Sequence, residues 1–146
     1  MGNRDDLKGK RIVAFDFGIK RIGVAVTDDF HITVSTRDTL SNDDKLWSNI
    51  EKLFEFERPG AVLVGMPVRE DGVESEVMLA IKKFESEIKL KFNLPVYEYD
   101  EAFSSVEAKK LMLEVGCKKS RRQKKGSTDR FAAALILRGF LQEIDG

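Results

Sequence analysis

A single cysteine, Cys117, among 146 residues excludes an internal disulfide and any zinc cluster built on thiolates. A single histidine, His31, excludes two-histidine metal sites and Glu-x-x-His repeats; a serine–histidine triad would have to use it, and no nucleophile-elbow sequence is present. Metal chemistry would therefore have to rest on carboxylates, which suit hard ions such as Mg²⁺ or Mn²⁺. Prolines number three, and no stretch rich in Pro, Gly or Ser, no low-complexity tract and no repeat divides the chain. The expectation is one domain over residues 1–146, with a polar tail at 1–10. No apolar run approaches the roughly 20 residues of a membrane-spanning helix, and residues 1–11 are too polar for a signal peptide. A cytoplasmic protein without a membrane partner is expected.

Charge of one sign is also lacking, since 25 basic and 25 acidic residues cancel. The distribution is uneven, however. Residues 116–146 carry eight basic and three acidic groups, and the first 115 carry 17 and 22. The stretch 118–125 (KKSRRQKK) alone holds six cations, Lys118, Lys119, Arg121, Arg122, Lys124 and Lys125, with Arg130 shortly after. Such a run is a solvated loop or a clamp for a polyanion.

Apolar periodicity gives the elements. Residues 11–17 (RIVAFDF) are apolar on both faces and suit a strand in the middle of a sheet. A tight connection at Gly18 leads to a second strand at 21–27, and a turn at Asp28-Asp29 to a shorter third, about 32–36. Leu46, Trp47, Ile50, Leu53 and Phe54 then recur at helical spacing, with Asn42 or Asp43 as the cap and Pro59-Gly60 as the stop. A strand at 61–65, a helix on Val77, Ile81, Phe84 and Ile88, and a strand at 94–99 follow. Ser104 and Glu107 form a capping box for a helix through Ala108, Leu111 and Met112 that Gly116 closes. A last helix runs from about Thr128 to Glu143. The order βββαβαβαα predicts an α/β fold: a five-stranded mixed sheet, an antiparallel meander and then parallel strands, with helices on both faces.

Asp16 sits near the C-terminal end of the central strand, and Asp100-Glu101 follows the fifth. Alone, Asp16 reads as a turn aspartate, Asp100-Glu101 as helix-entry acids, and Asp129 as an acid in the first turn of the last helix, favoured by the macrodipole. In combination they converge if the first and fifth strands are neighbours and emerge at one end. Three convergent carboxylates repel one another unless a divalent cation neutralises them. Two such ions would activate water and stabilise the leaving oxygen of a phosphodiester, and the basic run would hold the phosphate backbone.

Residues 15–26 (FDFGIKRIGVAV) resemble the first motif of the YqgF (RuvX) family, the Holliday junction resolvase or pre-16S rRNA nuclease group of the RNase H-like superfamily. Val64-Gly65-Met66-Pro67 with Glu70-Asp71-Gly72 is similar to its second motif, Asp100-Glu101 with Ser104, Ser105, Glu107 and Ala108 to its third, and Asp129 with 132–137 to its fourth. The resemblance spans residues 11–141 and implies an RNase H-like fold. It implies Asp16, Glu101 and Asp129 as metal-binding catalytic carboxylates, with Asp100 a further metal candidate. Gly18, Gly65, Pro67 and Gly72 would shape loops by the site, and Lys20 and Arg21 would face a phosphate. Ala102 and Phe103 replace the arginine and aliphatic residue usual in the third motif, and Arg130 stands where it could compensate.

The implied activity is a Mg²⁺- or Mn²⁺-dependent nuclease acting on RNA or branched DNA, with the 5′ end of pre-16S rRNA in ribosomal precursor particles as the suggested substrate. A Holliday junction resolvase is the alternative, and a nucleic-acid-binding protein with weakened catalysis is another. A P-loop reading fails because Val24-Ala25 stand where Lys-Ser or Lys-Thr is required. Actin-like ATPases need two such domains, and this chain has room for one. Phe103 and Tyr99 are the aromatics available for base stacking, Cys117 is incidental, and monomer and homodimer both stay open.

Overall fold

The structure, a computed structural model, describes residues 7–66, 76–100 and 125–145, and of residues 100, 125–130 and 145 the backbone. Within these residues the elements are β1 (Ile12–Asp16), β2 (Arg21–Thr27), β3 (Val34–Ser41), α1 (Leu46–Glu57), β4 (Ala61–Met66), α2 (Glu76–Phe92), β5 (Val96–Asp100) and α3 (Lys125–Asp145). The expected helix through Leu111 lies outside the described residues, as do Cys117 and Phe103.

The strands form one sheet in the order β3-β2-β1-β4-β5. β1 pairs antiparallel with β2 and β2 with β3, whereas β4 runs parallel to both β1 and β5. The meander followed by parallel crossovers is as the sequence predicted. One expectation is corrected: β1 and β5 are not neighbours. Every residue of β4 is buried, so it takes the inner place beside β1, and β5, which carries Glu98, is left at the edge.

The two faces hold two cores. Val13, Phe15, Ile22, Val24, Val62 and Val64 face α1 and α2, meeting Ile50, Phe54, Ile81, Phe84 and Ile88. Phe15 lies at the centre of an aromatic cluster, 5.4 Å from Phe84 and 6.1 Å from Phe54. Trp47, as its helical spacing implied, packs against the same core, and Phe92 joins it there. Ile12, Ala14, Ala25, Ala61 and Leu63 face α3 and meet Ala133, Ile136, Leu137, Phe140 and Leu141, which follow the i, i+3, i+4, i+7, i+8 rule of an amphipathic helix. Small residues on the sheet let α3 sit close. Gly139 takes this furthest, because a Cβ there would stand 2.6 Å from the Tyr99 Oη.

β3 departs from its expected bounds. It starts at Val34 rather than about residue 32 and runs to Ser41, longer than β2 rather than shorter. Its alternation is weak because an edge strand buries little, but pairing with β2 continues to Arg21↔Ser41 across a bulge near Ile22. The α1 start also differs. Neither Asn42 nor Asp43 is its cap residue; Lys45 is, with no side-chain cap bond, although Asp43 Oδ1 accepts the Lys45 N–H at 3.0 Å. α1 ends at Arg58 in the left-handed region (φ 51°), whose N–H donates to the Phe54 carbonyl.

Two buried acids on helix stripes escaped the sequence reading. Glu57 is 2% exposed and is held by Arg11 Nη1 at 3.1 Å and Arg37 Nε at 2.7 Å, joining the end of α1 to the start of β1 and to β3. Glu85 is 5% exposed on the α2 face that carries Ile81, Phe84 and Ile88. Both follow the spacing of apolar neighbours, which is the signal that could have found them.

Candidate active site

Asp16 is the last residue of β1, half-buried at the centre of the sheet. Side chains alternate along a strand, so Asp16 shares a face with Ile12 and Ala14, the face covered by α3. On β2 its partner is Gly23. On β4 the pairing Phe15↔Val64 makes Gly65 the next position, and Gly65 is itself level with Tyr99 on β5. The row across the sheet is therefore Gly23, Asp16, Gly65, Tyr99. Asp16 is thus flanked by glycine on both neighbouring strands. Gly65, expected as the last residue of its strand and given a loop-shaping role by the resemblance, is a strand residue in this row, and β4 runs one residue further to Met66.

Because β1, β4 and β5 are parallel, Asp16 and Asp100 end their strands on the same edge of the sheet even with β4 between them. Two strand spacings separate β1 from β5, roughly 10 Å. Asp100 stands opposite Met66, one step beyond the Asp16 row. Glu101 lies outside the described residues, with Pro67, Gly72, Lys118, Lys119, Arg121, Arg122 and Lys124.

Asp129 lies on α3 but not in its first turn, as expected from a start near Thr128. The helix begins at Lys125, and its first turn holds no acid. Gly126 costs about 1 kcal/mol in a helix, and Ser127 and Thr128 favour caps, so local propensity points to a later start. Extending a helix already anchored by packing is cheap compared with nucleating one. The position weakens the macrodipole explanation for an acid there. Lys125 and Arg130 share this N-terminal part of α3.

The β1–β2 turn stands beside Asp16. Lys20 and Arg21 are exposed on it. Gly18 is required, since a Cβ would collide with the Arg21 carbonyl oxygen. Asn42 ties the turn down: its Nδ2 donates to the Gly18 carbonyl at 2.8 Å and its backbone N–H to the Lys20 carbonyl at 2.9 Å.

Other candidates are placed elsewhere. Tyr99 is 6% exposed and packs edge-on against Phe140 beneath α3, so it is a core residue and not a stacking platform. His31 sits at the opposite end of the sheet, in a left-handed conformation (φ 60°), with Nε2 2.7 Å from the Lys10 carbonyl. Its hairpin is shaped by Asp28, whose Oδ1 accepts the Thr33 and Ile32 N–H groups, and these bonds hold Asp28 below the usual carboxylate range.

Among the described residues, the strongest electrostatic perturbation lies between α2 and β5. Burial pushes the Glu85 carboxyl up to about 8, helped by its hydrogen bond to Glu98 and the charge there, against the pull of Lys82 and Lys89. Burial would raise Glu98 too, but hydrogen bonds from Lys82, at 2.7 Å, and from Glu85 outweigh it and bring Glu98 below its ordinary value. Glu85 is thus a protonated donor and Glu98 an ionised acceptor. Among the described residues, no three acids, histidines or cysteines stand close enough to hold a metal ion, and no helix is long and apolar enough to cross a membrane.

The RuvX family model, described as Holliday junction resolvase, matches residues 10–143. A protein of Chromobacterium violaceum named "Putative pre-16S rRNA nuclease" is 39% identical over 135 residues, covering 90% of this chain and 96% of its own. One of the same name from Saccharophagus degradans is 34% identical over 139 residues, covering 94% and 96%. Among solved structures, Thermus thermophilus RuvC in complex with a Holliday junction substrate superposes with a TM-score of 0.59 at 14% identity, covering 92% of this chain and 96% of that one. The yeast mitochondrial Holliday junction resolvase gives 0.58 at 12% identity, covering 97% and 84%. At these identities the structural likeness establishes the RNase H-like fold.

Proposed function

Since the chain belongs to the RuvX family of Holliday junction resolvases, we propose that it is a metal-dependent nuclease that hydrolyses phosphodiester bonds in structured nucleic acid, with the 5′ end of pre-16S rRNA as substrate. The observation that carries this reading is Asp16. It ends the central strand on the α3 face, with Gly23 on one neighbouring strand and Gly65 next in register on the other.

Glu101 and Asp129 complete the carboxylate set in this reading. Tyr97 and Tyr99 face α3, and Glu101 is in step with them in the sequence; Asp129 belongs to the helix that covers that face. An all-oxygen donor set with one histidine in the whole chain fits Mg²⁺ or Mn²⁺ and not zinc. The ion would supply Lewis acidity toward a phosphoryl oxygen and lower the pKa of bound water. The chain's own contribution is to orient: Asp16 is fixed by a strand paired on both sides, and Lys20 and Arg21 offer cations to the phosphate backbone from the adjoining turn. Lys118, Lys119, Arg121, Arg122, Lys124, Lys125 and Arg130 extend that contact along the substrate.

The relatives named for pre-16S rRNA favour RNA, whereas the solved neighbours are resolvases of branched DNA. Purified protein with Mn²⁺ is expected to cut a pre-16S 5′-leader transcript, and Asp16→Asn or Glu101→Gln to abolish the cut. Cleavage of a four-way DNA junction in preference to the transcript would favour the resolvase. Binding of either substrate without cleavage would leave a nucleic-acid-binding protein and overturn the enzyme.

A further inference from the structure

The link between β3 and α1 reaches back over the turn that follows Asp16. Ser41 pairs with Arg21 at the end of β3, and Asn42 continues that ladder by one residue, giving its N–H to the Lys20 carbonyl at 2.9 Å. Its side chain turns to the same segment and gives Nδ2 to the Gly18 carbonyl at 2.8 Å. The orientation of the amide follows from its acceptor, because an oxygen there would face another oxygen. Asn42 is not occupied with capping the neighbouring helix. The cap position of α1 is Lys45, whose N–H goes to Asp43 Oδ1. The whole side-chain bond of Asn42 is therefore directed at the turn.

We propose that Asn42 is a positioning residue for nucleic-acid binding, holding the Gly18–Arg21 turn so that Lys20 meets a phosphate at a fixed distance from Asp16. The proposal rests on the reading that this end of the sheet meets the nucleic-acid backbone. Its physical basis is preorganisation. A lysine presents a point charge on a stem with about 2 kcal/mol of rotamer entropy, so its usefulness depends on how little further freedom must be lost on binding. A turn latched at two carbonyls, with a glycine that admits no Cβ, gives Lys20 a fixed base. Without the side-chain latch, the Lys20 carbonyl bond remains and the Gly18 carbonyl is released. The turn then loosens without the sheet coming apart.

The test is a double-mutant cycle on binding, read in EDTA so that cleavage plays no part. Binding of a fluorescent RNA hairpin with a single-stranded 5′ arm is measured by anisotropy at several KCl concentrations for wild type, Asn42→Ala, Lys20→Ala and the double variant. Asn42→Ala is expected to weaken binding by about threefold to tenfold, the worth of one hydrogen bond, with its melting temperature lowered by no more than a few degrees. The double variant is expected to bind no more weakly than Lys20→Ala alone. Asn42→Asp keeps the volume and turns an oxygen toward the Gly18 carbonyl, so it is expected to weaken binding at least as much, which keeps the idea testable if the alanine variant folds poorly. Additive losses, or an Asn42→Ala protein that binds as wild type, would overturn the proposal. A Lys20→Ala protein that binds as wild type, or wild type that binds no RNA, would overturn it together with the phosphate contact beneath it. An intact Asn42–Lys20 coupling in a protein that fails to cut RNA with Mn²⁺ would sustain it and remove the nuclease reading alone.

Discussion

Replacing Glu85 with glutamine isolates the proton shared between α2 and β5. Glu85 is 5% exposed, and its Oε2 has no hydrogen-bond partner among the described residues. Its carboxyl is pushed up to about 8, chiefly by burial, from an ordinary value of 4.5. Between those two values the folded protein holds a proton that the unfolded chain has released. Stability from this group is therefore complete below about pH 4.5 and is lost as pH rises through 8. A single proton sets a slope of at most about 1.4 kcal/mol per pH unit, and across the window the loss reaches a few kcal/mol. Glu98 acts in the opposite sense and at lower pH, since its depressed value makes its contribution fade only in acid. Glutamine keeps the volume of Glu85 and still donates to Glu98, but it does not titrate. Urea unfolding of both proteins from about pH 5 to about pH 9 reads the effect directly. The two stabilities are expected to agree near pH 5 and to separate as pH rises, with Glu85→Gln the more stable by a few kcal/mol at about pH 9. Groups that do not interact with Glu85 cancel in the difference. Parallel curves would refute the reasoning and show that Glu85 is ionised throughout.

Two further predictions concern the α3 face and the basic segment. Gly139→Ala, in a helix interior where alanine normally gains about 1 kcal/mol, is expected instead to lower the melting temperature, because its Cβ would meet the Tyr99 Oη at 2.6 Å and the ring Cζ at 3.0 Å; adding Tyr99→Phe removes the shorter contact and should recover part of the deficit. Replacing Lys118, Lys119, Arg121 and Arg122 with alanine is expected to weaken RNA affinity and to flatten its dependence on log salt by about 0.7 to 0.9 for each phosphate that these cations neutralise in the wild type; an unchanged slope would dismiss the segment as a clamp.

The sheet was legible where burial is two-sided or the spacing regular. Residues 11–17 gave a central strand because Ile12, Val13, Ala14 and Phe15 are apolar on both faces, and each proved fully buried. β3 was misjudged because an edge strand leaves little hydrophobic signature; its length is set by backbone pairing with β2, which composition does not record. The neighbour relation of β1 and β5 was misjudged for a different reason. Periodicity identifies strands but not their lateral order, and β4 claims the inner position only because both of its faces find a core. Asp16 was legible as a carboxylate at a strand end. The glycine row around it was not, because it is a property of register across three strands. Asn42 was read as a cap because Asn before a helix ordinarily is one; the long β3 carries it past that role to the turn.

α3 covers strands that lie far upstream of it in the chain. It packs on β1, β2 and β3, which are joined by short connections and need only local closure to form. On a ribosome the meander can be made early, since synthesis presents N-terminal elements first. Its second face, with Ile12, Ala14 and Ala25, then stays without α3 until that helix has been synthesised, on the order of eighty residues later. Asp16 lies on that face. A nascent chain thus carries an exposed apolar surface and Asp16 together, and the same docking event covers the face on which both lie. Cleavage competence would be acquired in one step, late, and only by a chain that has closed its fold.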